Sequence, residues 1–217
     1  MRYDDELFLL KGPSIVPSSP INPACIELNH KWFTFTSDME ARGGTVDIEL
    51  GDARLTLERQ TDQNFHILVI DAFTGDAIPA HLLTREAFAV YMRHLQPDGV
   101  IAVHISNRHL NLIPVVTAAA EENKMRLFYI EAEDKGGVAG ASSEWLLLSN
   151  NNEFCETVLF NEAGDELDVV EDPKIYWTDD YSSLWKILRE LPFGNLLSWQ
   201  KHETERTESR TVNPYGE

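Results

Sequence analysis

Apolar residues along the chain form short clusters whose spacing changes between that of a buried strand and that of a helix. Residues 65–70 are apolar except for His66, and such a run is typical of a strand with both faces buried in a parallel sheet. Residues 84–95 repeat their apolar side chains at helical spacing, with Thr84 as the predicted N-cap. The two segments predict a strand–loop–helix unit.

Further clusters continue this alternation. The pattern predicts strands over residues 7–10, 45–50, 100–105, 126–131 and 144–149, and helices over 23–31, 53–60, 112–123 and 182–190. Strands that alternate with helices at this spacing indicate an α/β fold with a largely parallel sheet. Because only a glycine-containing loop separates the last two predicted strands, we expect that pair to run antiparallel. The predicted fold is a Rossmann-like class I methyltransferase fold, mostly parallel with one antiparallel strand near the end.

Two aspartates follow predicted strands at equivalent positions. Asp71 ends the strand at 65–70, and Asp52 comes just after the strand at 45–50. The carboxyl ends of parallel strands form the crevice in which open α/β sheets bind their ligands. A carboxylate there can accept hydrogen bonds from an amino or hydroxyl group, or hold an attacking amine. Each aspartate could instead cap the helix that follows it, and the sequence leaves both alternatives open.

Composition narrows the classes of partner. The 217 residues carry a net charge of −18, which argues against nucleic acid. This charge would attract a cationic partner, but solubility alone also accounts for it and is the favoured explanation. No apolar stretch reaches the ~20 residues that span a bilayer, so we expect no membrane association. Cys25 and Cys155 lie far apart and in no CxxC pattern, which suggests a reducing, cytoplasmic setting. The seven histidines, His104 and His109 among them, show no metal-binding spacing and are interpreted as ordinary surface or capping residues.

Several longer stretches resemble a known family. They include Gly-Asp-Ala-Arg at 51–54, DAFTGDAIP at 71–79, LLTREAF at 82–88, LQPDGVIAVHISNR at 95–108 and WTDDYS at 177–182. In this order they are similar to the spermidine synthase-like branch of the polyamine aminopropyltransferases, over roughly residues 22–190. The resemblance implies transfer of an aminopropyl group from decarboxylated S-adenosylmethionine to a polyamine such as putrescine. Two alternatives stay open: a methyltransferase with S-adenosylmethionine as co-substrate, and a non-catalytic remnant or interaction module.

The resemblance also implies roles for individual residues. Asp71 matches the family aspartate that activates the attacking amine. Asp52 and Ala53 match the pair that reads the adenine of the co-substrate. The implied partner is a small cationic amine, and the implied reaction needs no metal.

Five further positions are assigned to the same pocket. Ala72, Pro79 and Leu83 are expected to line the adenine site. Asp76 lies two positions beyond the place of a second family aspartate and is expected to bind the substrate. Asp179 is expected to bind the substrate as well, although it could instead cap the last helix.

The family's glycine-rich cofactor loop has no counterpart, since residues 1–21 contain no G-x-G motif. We therefore expect a domain truncated at its N-terminus: an irregular segment over 1–21, a spermidine synthase-like Rossmann domain over 22–193, and a polar, disordered tail over 194–217. The missing strands would leave a sheet edge exposed. Residues 7–10 and 14–16 or a partner chain are candidates to cover it, so a homodimer stays open.

Overall fold

The computed structural model describes residues 6–11, 14–17, 27, 31–46, 49, 51–71, 79–132, 143–157, 164–167, 169 and 173–189. Within these ranges the strands are β1 (Glu6–Lys11), β2 (Ser14–Pro17), β3 (Phe65–Asp71), β4 (Leu95–His104), β5 (Arg126–Ala132), β6 (Ser143–Ser149) and β7 (Gly164–Leu167). The α-helices are α1 (Phe35–Ala41), α2 (Ala53–Arg59), α3 (Arg85–His94), α4 (Ile113–Glu122) and α5 (Asn152–Cys155). Short 3-10 helices cover Ala80–Leu82 and Leu184–Ile187.

The described strands form one sheet in the order β2-β1-β3-β4-β6-β5-β7. β3 and β4 are parallel neighbours, and β5 points in the same direction because β6 lies antiparallel between β4 and β5. The α/β fold class and the reversed strand near the end of the sheet are therefore confirmed. β1 and β7 are also reversed, since they pair antiparallel with β3 and β5. The sequence predicted one reversed strand, and the described sheet contains two more at its flanks.

The centre of the sheet forms the core. Side chains of the parallel pair, Phe65, Leu68 and Ile70 on β3 with Ile101 and Val103 on β4, are at most 2% exposed. α3 packs against β4 and α2, while α4 packs against β5 and β6. Burial of this apolar surface is the main stabilising contribution. It also fixes the carboxyl ends of β3 and β4, where the candidate site lies.

The outer edge of β3 is covered by the N-terminal segment of the chain. β1 pairs Glu6 with Asp71 and Leu10 with Ile67, and β2 then pairs with β1. The segment over 1–21, expected to be irregular, therefore contributes two strands, and residues 7–10 and 14–16 cover the edge as the sequence allowed. An unpaired strand edge would otherwise offer its N–H and C=O groups to another chain.

β4 begins five residues earlier than the strand predicted over 100–105, because residues 95–99 are part of the strand. Leu95 pairs with Phe65 and Val100 pairs with Ile67, so the residues between them bulge out of the ladder. Gly99 makes this bulge possible. A Cβ at Gly99 would lie 2.6 Å from Cγ of Leu95, too close for any other residue without movement.

Other predicted elements are confirmed, shortened or outside the described residues. α2, α3, α4, β5 and β6 correspond to the predicted helices and strands, with Thr84 as the N-cap of α3. The helix predicted over 182–190 is shortened to the 3-10 helix Leu184–Ile187. In the strand predicted over 45–50, Val46 makes an isolated bridge. Residues 47, 48 and 50 of that strand lie outside the described ranges. Most of the helix predicted over 23–31 and the tail over 194–217 also lie outside them.

Candidate functional site

Asp71 and His104 are neighbours at the carboxyl ends of the parallel strands. The register pairs Ile70 with Val103, so the next residue on each strand stands beside the other. Oδ1 of Asp71 lies 2.7 Å from Nδ1 of His104. The two side chains keep 36% and 20% of their surface exposed, so the pair is fixed by the sheet and still accessible to a ligand.

The His104 ring is held on two further sides. Its Nε2 lies 2.8 Å from Oγ of Ser106, and its face stacks on Trp145 of β6 with 4.7 Å between ring centroids. Oγ of Ser106 accepts a hydrogen bond from the backbone N–H of Glu144 at 2.7 Å. Because the Asp71 carboxylate can only accept, Nδ1 carries the ring proton and donates to it, and in the neutral ring Nε2 accepts the hydrogen of the Ser106 hydroxyl.

Polar groups around Glu144 extend this network. The Tyr129 hydroxyl donates to Oε1 of Glu144 at 2.8 Å, and Nη2 of Arg189 donates to Oε2 at 3.1 Å. Burial and the hydrogen bond to Glu144 raise the pKa of Tyr129 to about 12, so the phenol stays a donor. Arg189 also donates to the Leu110 carbonyl at 3.2 Å, which anchors the end of the described chain beside the network.

Asp52 caps α2 and contacts a histidine. Its Oδ1 accepts the Leu55 N–H at 2.9 Å, and its Oδ2 lies 2.9 Å from Nε2 of His81. The capping alternative left open by the sequence is therefore present in the structure. A carboxylate offers about four lone-pair sites, so these two contacts leave acceptor capacity for a ligand.

A cleft of about 510 Å³ opens beside Asp52 and His81. It is lined by Asp52, Arg54, Leu55, Glu58, His81, Thr84, Thr178, Asp179 and Ser182. Its size lies in the range of small-molecule pockets. The residues that join this cleft to Asp71 along the chain, 72–78, lie outside the described ranges.

An ion pair forms one wall of the cleft. Nη1 and Nη2 of the buried Arg54 donate to the two carboxylate oxygens of Asp179 at 2.6 Å each, and Thr84 Oγ1 donates to the same carboxylate at 2.8 Å. These hydrogen bonds, that from Arg54 first, lower the pKa of Asp179 to about 2. Arg54 compensates the charge of the Asp179 carboxylate. Since Arg54 belongs to α2 and Thr84 caps α3, the same contacts join the 173–189 segment to both helices. This geometry offers no support for the predicted substrate contact of Asp179.

The other predicted pocket residues occupy different surroundings. Ala53 opens α2 and packs against the core, and Pro79 is the half-buried residue before the 3-10 helix Ala80–Leu82. Leu83 is 4% exposed and belongs to the core, so it does not line the cleft. Ala72 and Asp76 lie outside the described residues. Their roles stay predictions.

Sequence reasoning missed three residues that the fold brings into this region: Arg54, His104 and Ser106. The sequence interpretation treats His104 as an ordinary histidine, and it assigns no role to the other two. The signal that would have found His104 is strand register, because placing Ile70 opposite Val103 puts His104 beside Asp71. Register depends on both strands together and cannot be read from either one alone.

The described residues contain neither a metal-binding cluster nor a membrane-spanning helix. No group of three or more His, Cys, Asp or Glu side chains within these ranges is arranged to hold a metal ion. None of the described helices has the length and apolar character needed to cross a membrane. Cys155 is buried, which raises the pKa of its thiol and keeps it in the unreactive form.

A scan against models of protein families finds no match. Comparison with curated proteins finds a relative with a similar sequence. The chain is 29% identical over 86 residues to a polyamine aminopropyltransferase of Vibrio vulnificus (strain CMCP6). The aligned part covers 39% of this chain and 27% of that protein. This similarity confirms the resemblance to the spermidine synthase-like family, although the chain spans only about a quarter of the curated relative.

Comparison with solved structures supports the fold. A probable spermidine synthase from Corynebacterium glutamicum ATCC 13032 matches with a TM-score of 0.50 and 17% identity, covering 79% of this chain and 64% of that one. A spermidine synthase from Thermotoga maritima gives a TM-score of 0.43 at 13% identity, covering 86% of this chain and 58% of the other. The first match supports the Rossmann-like α/β fold. The chain spans less than two thirds of either structure.

Proposed function

We propose that this chain, which resembles the spermidine synthase-like family in sequence and in fold, transfers an aminopropyl group from decarboxylated S-adenosylmethionine to a small cationic amine such as putrescine. The observation that carries the proposal is the Asp71 carboxylate at the carboxyl end of β3, held by His104 at the end of the parallel neighbour β4. Open α/β sheets bind their ligands at this edge.

In this reaction the protein orients the two substrates and removes one proton from the attacking amine. The amine nitrogen attacks the methylene carbon beside the sulfonium, so that a C–N bond forms and the C–S bond breaks. The electron pair of the broken bond stays on sulfur, which leaves as methylthioadenosine. The attacking nitrogen gives up one proton, which Asp71 accepts and releases to water. The atoms balance without a metal or an oxidant.

The Asp52 side of the site fits an adenine ring. The remaining acceptor capacity of Asp52 can receive the adenine amino group, and the adjoining cleft of about 510 Å³ is large enough for a small molecule. Asp52 is partly exposed, with 29% of its side-chain surface accessible. A ligand can therefore approach it without displacing the cap of α2.

The charge of the chain supports a cationic acceptor. A net charge of −18 creates a negative field that attracts a cation of two charges and raises its concentration near the site. The same field disfavours anionic substrates. Since the sequence shows no CxxC pattern and no disulfide framework, we also propose that the chain acts in the cytoplasm.

The experiment is a product assay with the purified chain. Putrescine and decarboxylated S-adenosylmethionine are supplied, and methylthioadenosine and spermidine are quantified by mass spectrometry. Asp71→Asn should lower the rate of product formation at least about a hundredfold, because it removes the proton acceptor. Asp98→Asn, at an exposed carboxylate in the bulge of β4, is the matched control and should leave the rate unchanged.

A second arm decides between the proposal and the two alternatives. If S-adenosylmethionine yields methylated amines, and the decarboxylated co-substrate yields no methylthioadenosine, the proposed aminopropyl transfer is wrong and the chain is a methyltransferase. Product in neither arm, together with no thermal shift on adding methylthioadenosine, would overturn the enzymatic reading and favour the non-catalytic one.

A further inference from the structure

We propose that His104 is a positioning residue for Asp71: its Nδ1–H holds the carboxylate in the orientation that receives the amine, and Ser106 holds the histidine. This inference rests on the proposed aminopropyl transfer and concerns the same carboxylate. It assigns a role to two residues for which the sequence predicts none.

The direction of the hydrogen bonds follows from the donors available. Ser106 Oγ accepts the Glu144 N–H at 2.7 Å and lies 2.8 Å from Nε2 of His104. A carboxylate oxygen only accepts, so Nδ1, which lies 2.7 Å from Oδ1 of Asp71, carries the ring proton and donates it. In the neutral form of the ring Nε2 is then an acceptor, and it receives the hydrogen of the Ser106 hydroxyl. The chain of hydrogen bonds thus starts at the backbone of β6 and ends at the carboxylate.

The ring cannot turn out of this chain easily. Trp145 stacks against it with an interplanar angle of 27°, and strand pairing places His104 directly opposite Trp145. Among the described residues, Glu144 and Arg189 are charged members of the surrounding network and pair with each other at 3.1 Å. Stacking and strand pairing therefore hold the ring where Nδ1 faces Oδ1 of Asp71.

Fixing one oxygen of Asp71 leaves the other for the substrate. Among the described residues, Oδ1 bonds to His104 and Oδ2 has no hydrogen-bond partner, while the side chain is 36% exposed. A carboxylate that is tethered at one oxygen points its second oxygen in a defined direction. Holding a catalytic group in its productive orientation is worth orders of magnitude in rate, since a displacement of about 1 Å can cost about a hundredfold.

Two substitutions at His104 separate its two nitrogens. The amide nitrogen of asparagine takes the place of Nδ1, whereas that of glutamine takes the place of Nε2. His104→Asn should therefore keep the donor to Asp71 and retain kcat/KM within about tenfold, and His104→Gln should lose at least about a hundredfold, mainly in kcat. His109→Asn is the matched control on an exposed histidine and should leave the kinetics unchanged. Thermal unfolding of each variant confirms that it is folded.

The kinetic outcomes decide the inference as follows. Retained activity in His104→Asn with loss in His104→Gln supports positioning through Nδ1. Equal loss in both variants overturns it, because the imidazole itself would then be required. Equal retention in both also overturns it. Absence of methylthioadenosine from the wild-type chain refutes the proposed function and leaves the orientation of Asp71 to a second measurement.

That measurement is the tautomer of His104, read from long-range ¹H–¹⁵N correlations of the imidazole, and it needs no activity. The wild-type chain should show the Nδ1–H tautomer at neutral pH. Ser106→Ala removes the donor to Nε2, so the population of the Nδ1–H form should fall. An Nε2–H tautomer in the wild-type chain, or no change in Ser106→Ala, overturns the inference whether or not the chain transfers an aminopropyl group.

Discussion

At the scale of single residues, His94 is a buried histidine whose two nitrogens are both used by the backbone. The Gln63 N–H donates to its Nδ1 at 3.2 Å, so Nδ1 is an acceptor and Nε2 carries the proton that is donated to the Leu57 carbonyl at 2.9 Å. The side chain is 0% exposed. Burial, with a smaller contribution from the charge of Arg93, lowers the pKa of His94. Its neutral form is therefore part of the fold.

This arrangement makes stability depend on pH. Because the folded pKa of His94 is lowered, the unfolded chain binds the proton more readily, and stability is lost as pH falls below the ordinary histidine range of about 6.5. Urea unfolding between about pH 5 and about pH 7.5 should show a free energy of unfolding that rises with pH. His94→Asn should lower it by about 1–3 kcal/mol at the upper end and flatten the dependence, whereas His109→Asn should not. An unchanged slope in His94→Asn would contradict the assignment.

At the scale of elements, the segment over 173–189 is attached to α2 and α3 by hydrogen bonds and by the ion pair between Arg54 and Asp179. Arg54 on α2 and Thr84 at the start of α3 both bond to Asp179, and the Asp179 N–H donates to Glu86 at 3.0 Å. Trp177, 2% exposed, inserts into the core at the same place. The ion pair thus fixes where the segment crosses the helices, and with it one wall of the cleft.

Breaking this pair should weaken the attachment of the segment. Asp179→Asn leaves Arg54 buried with one charged partner fewer, and because Asp179 is partly exposed we expect a loss of about 1–2 kcal/mol in unfolding free energy at neutral pH. The pKa of Asp179 is lowered to about 2, so its contribution is present above the unfolded value of about 4 and is lost as pH falls towards 2. The difference between wild type and variant in urea unfolding should therefore shrink at acidic pH. Asp180→Asn, the exposed neighbour, should show neither effect.

The bulge in β4 can be tested with one methyl group. Gly99→Ala places a Cβ 2.6 Å from Cγ and 2.8 Å from Cδ1 of the buried Leu95, so Leu95 must move within the core. We expect a loss of about 1–3 kcal/mol, measured as a lower midpoint of thermal unfolding. Asp98→Ala, at the exposed residue before it, should unfold within a few tenths of a kcal/mol of wild type. An unaltered midpoint in Gly99→Ala would show that the bulge has room to relax.

At the scale of the whole molecule, the sheet has a centre that matches the predicted fold and an edge that departs from it. β3, β4, β6 and β5 lie in the predicted neighbourhood, with the reversed strand between two parallel ones. On the outer side of β3, the antiparallel pair β1 and β2 occupies the edge. The oligomeric state of the chain should depend on this pairing, because an exposed β3 edge is a template for another chain.

Interrupting β1 should therefore change the oligomeric state. Leu9 pairs with Leu68 of β3 and with Val16 of β2, and Leu9→Pro removes a backbone donor between them. We expect larger species or aggregation in light scattering after size-exclusion chromatography, while Leu9→Val keeps the strand and behaves like the wild type. Identical masses for the three proteins would show that β1 does not protect the edge.

Hydrophobic period, turn residues and caps are local properties, and they were enough to locate most elements. The run at 65–70, the helix begun by Thr84 and the missing crossover between β5 and β6 each follow from a few adjacent residues. The positions of Asp52 and Asp71 at element ends follow in the same way. By contrast, the bulge at 96–99 depends on the partner strand, so the strand predicted from the sequence began only at residue 100.

The sequence by itself therefore determined the fold class, the family resemblance and the carboxylate at the end of β3. Only the tertiary structure decided what surrounds that carboxylate. His104 lies beside Asp71, 33 positions away in the sequence, because their two strands share a register. Arg54 contacts Asp179, which lies 125 positions away. Such contacts are set by packing of the whole core rather than by neighbouring residues. For that reason the charge of Asp179 is compensated by Arg54, whereas one oxygen of Asp71 is held by His104.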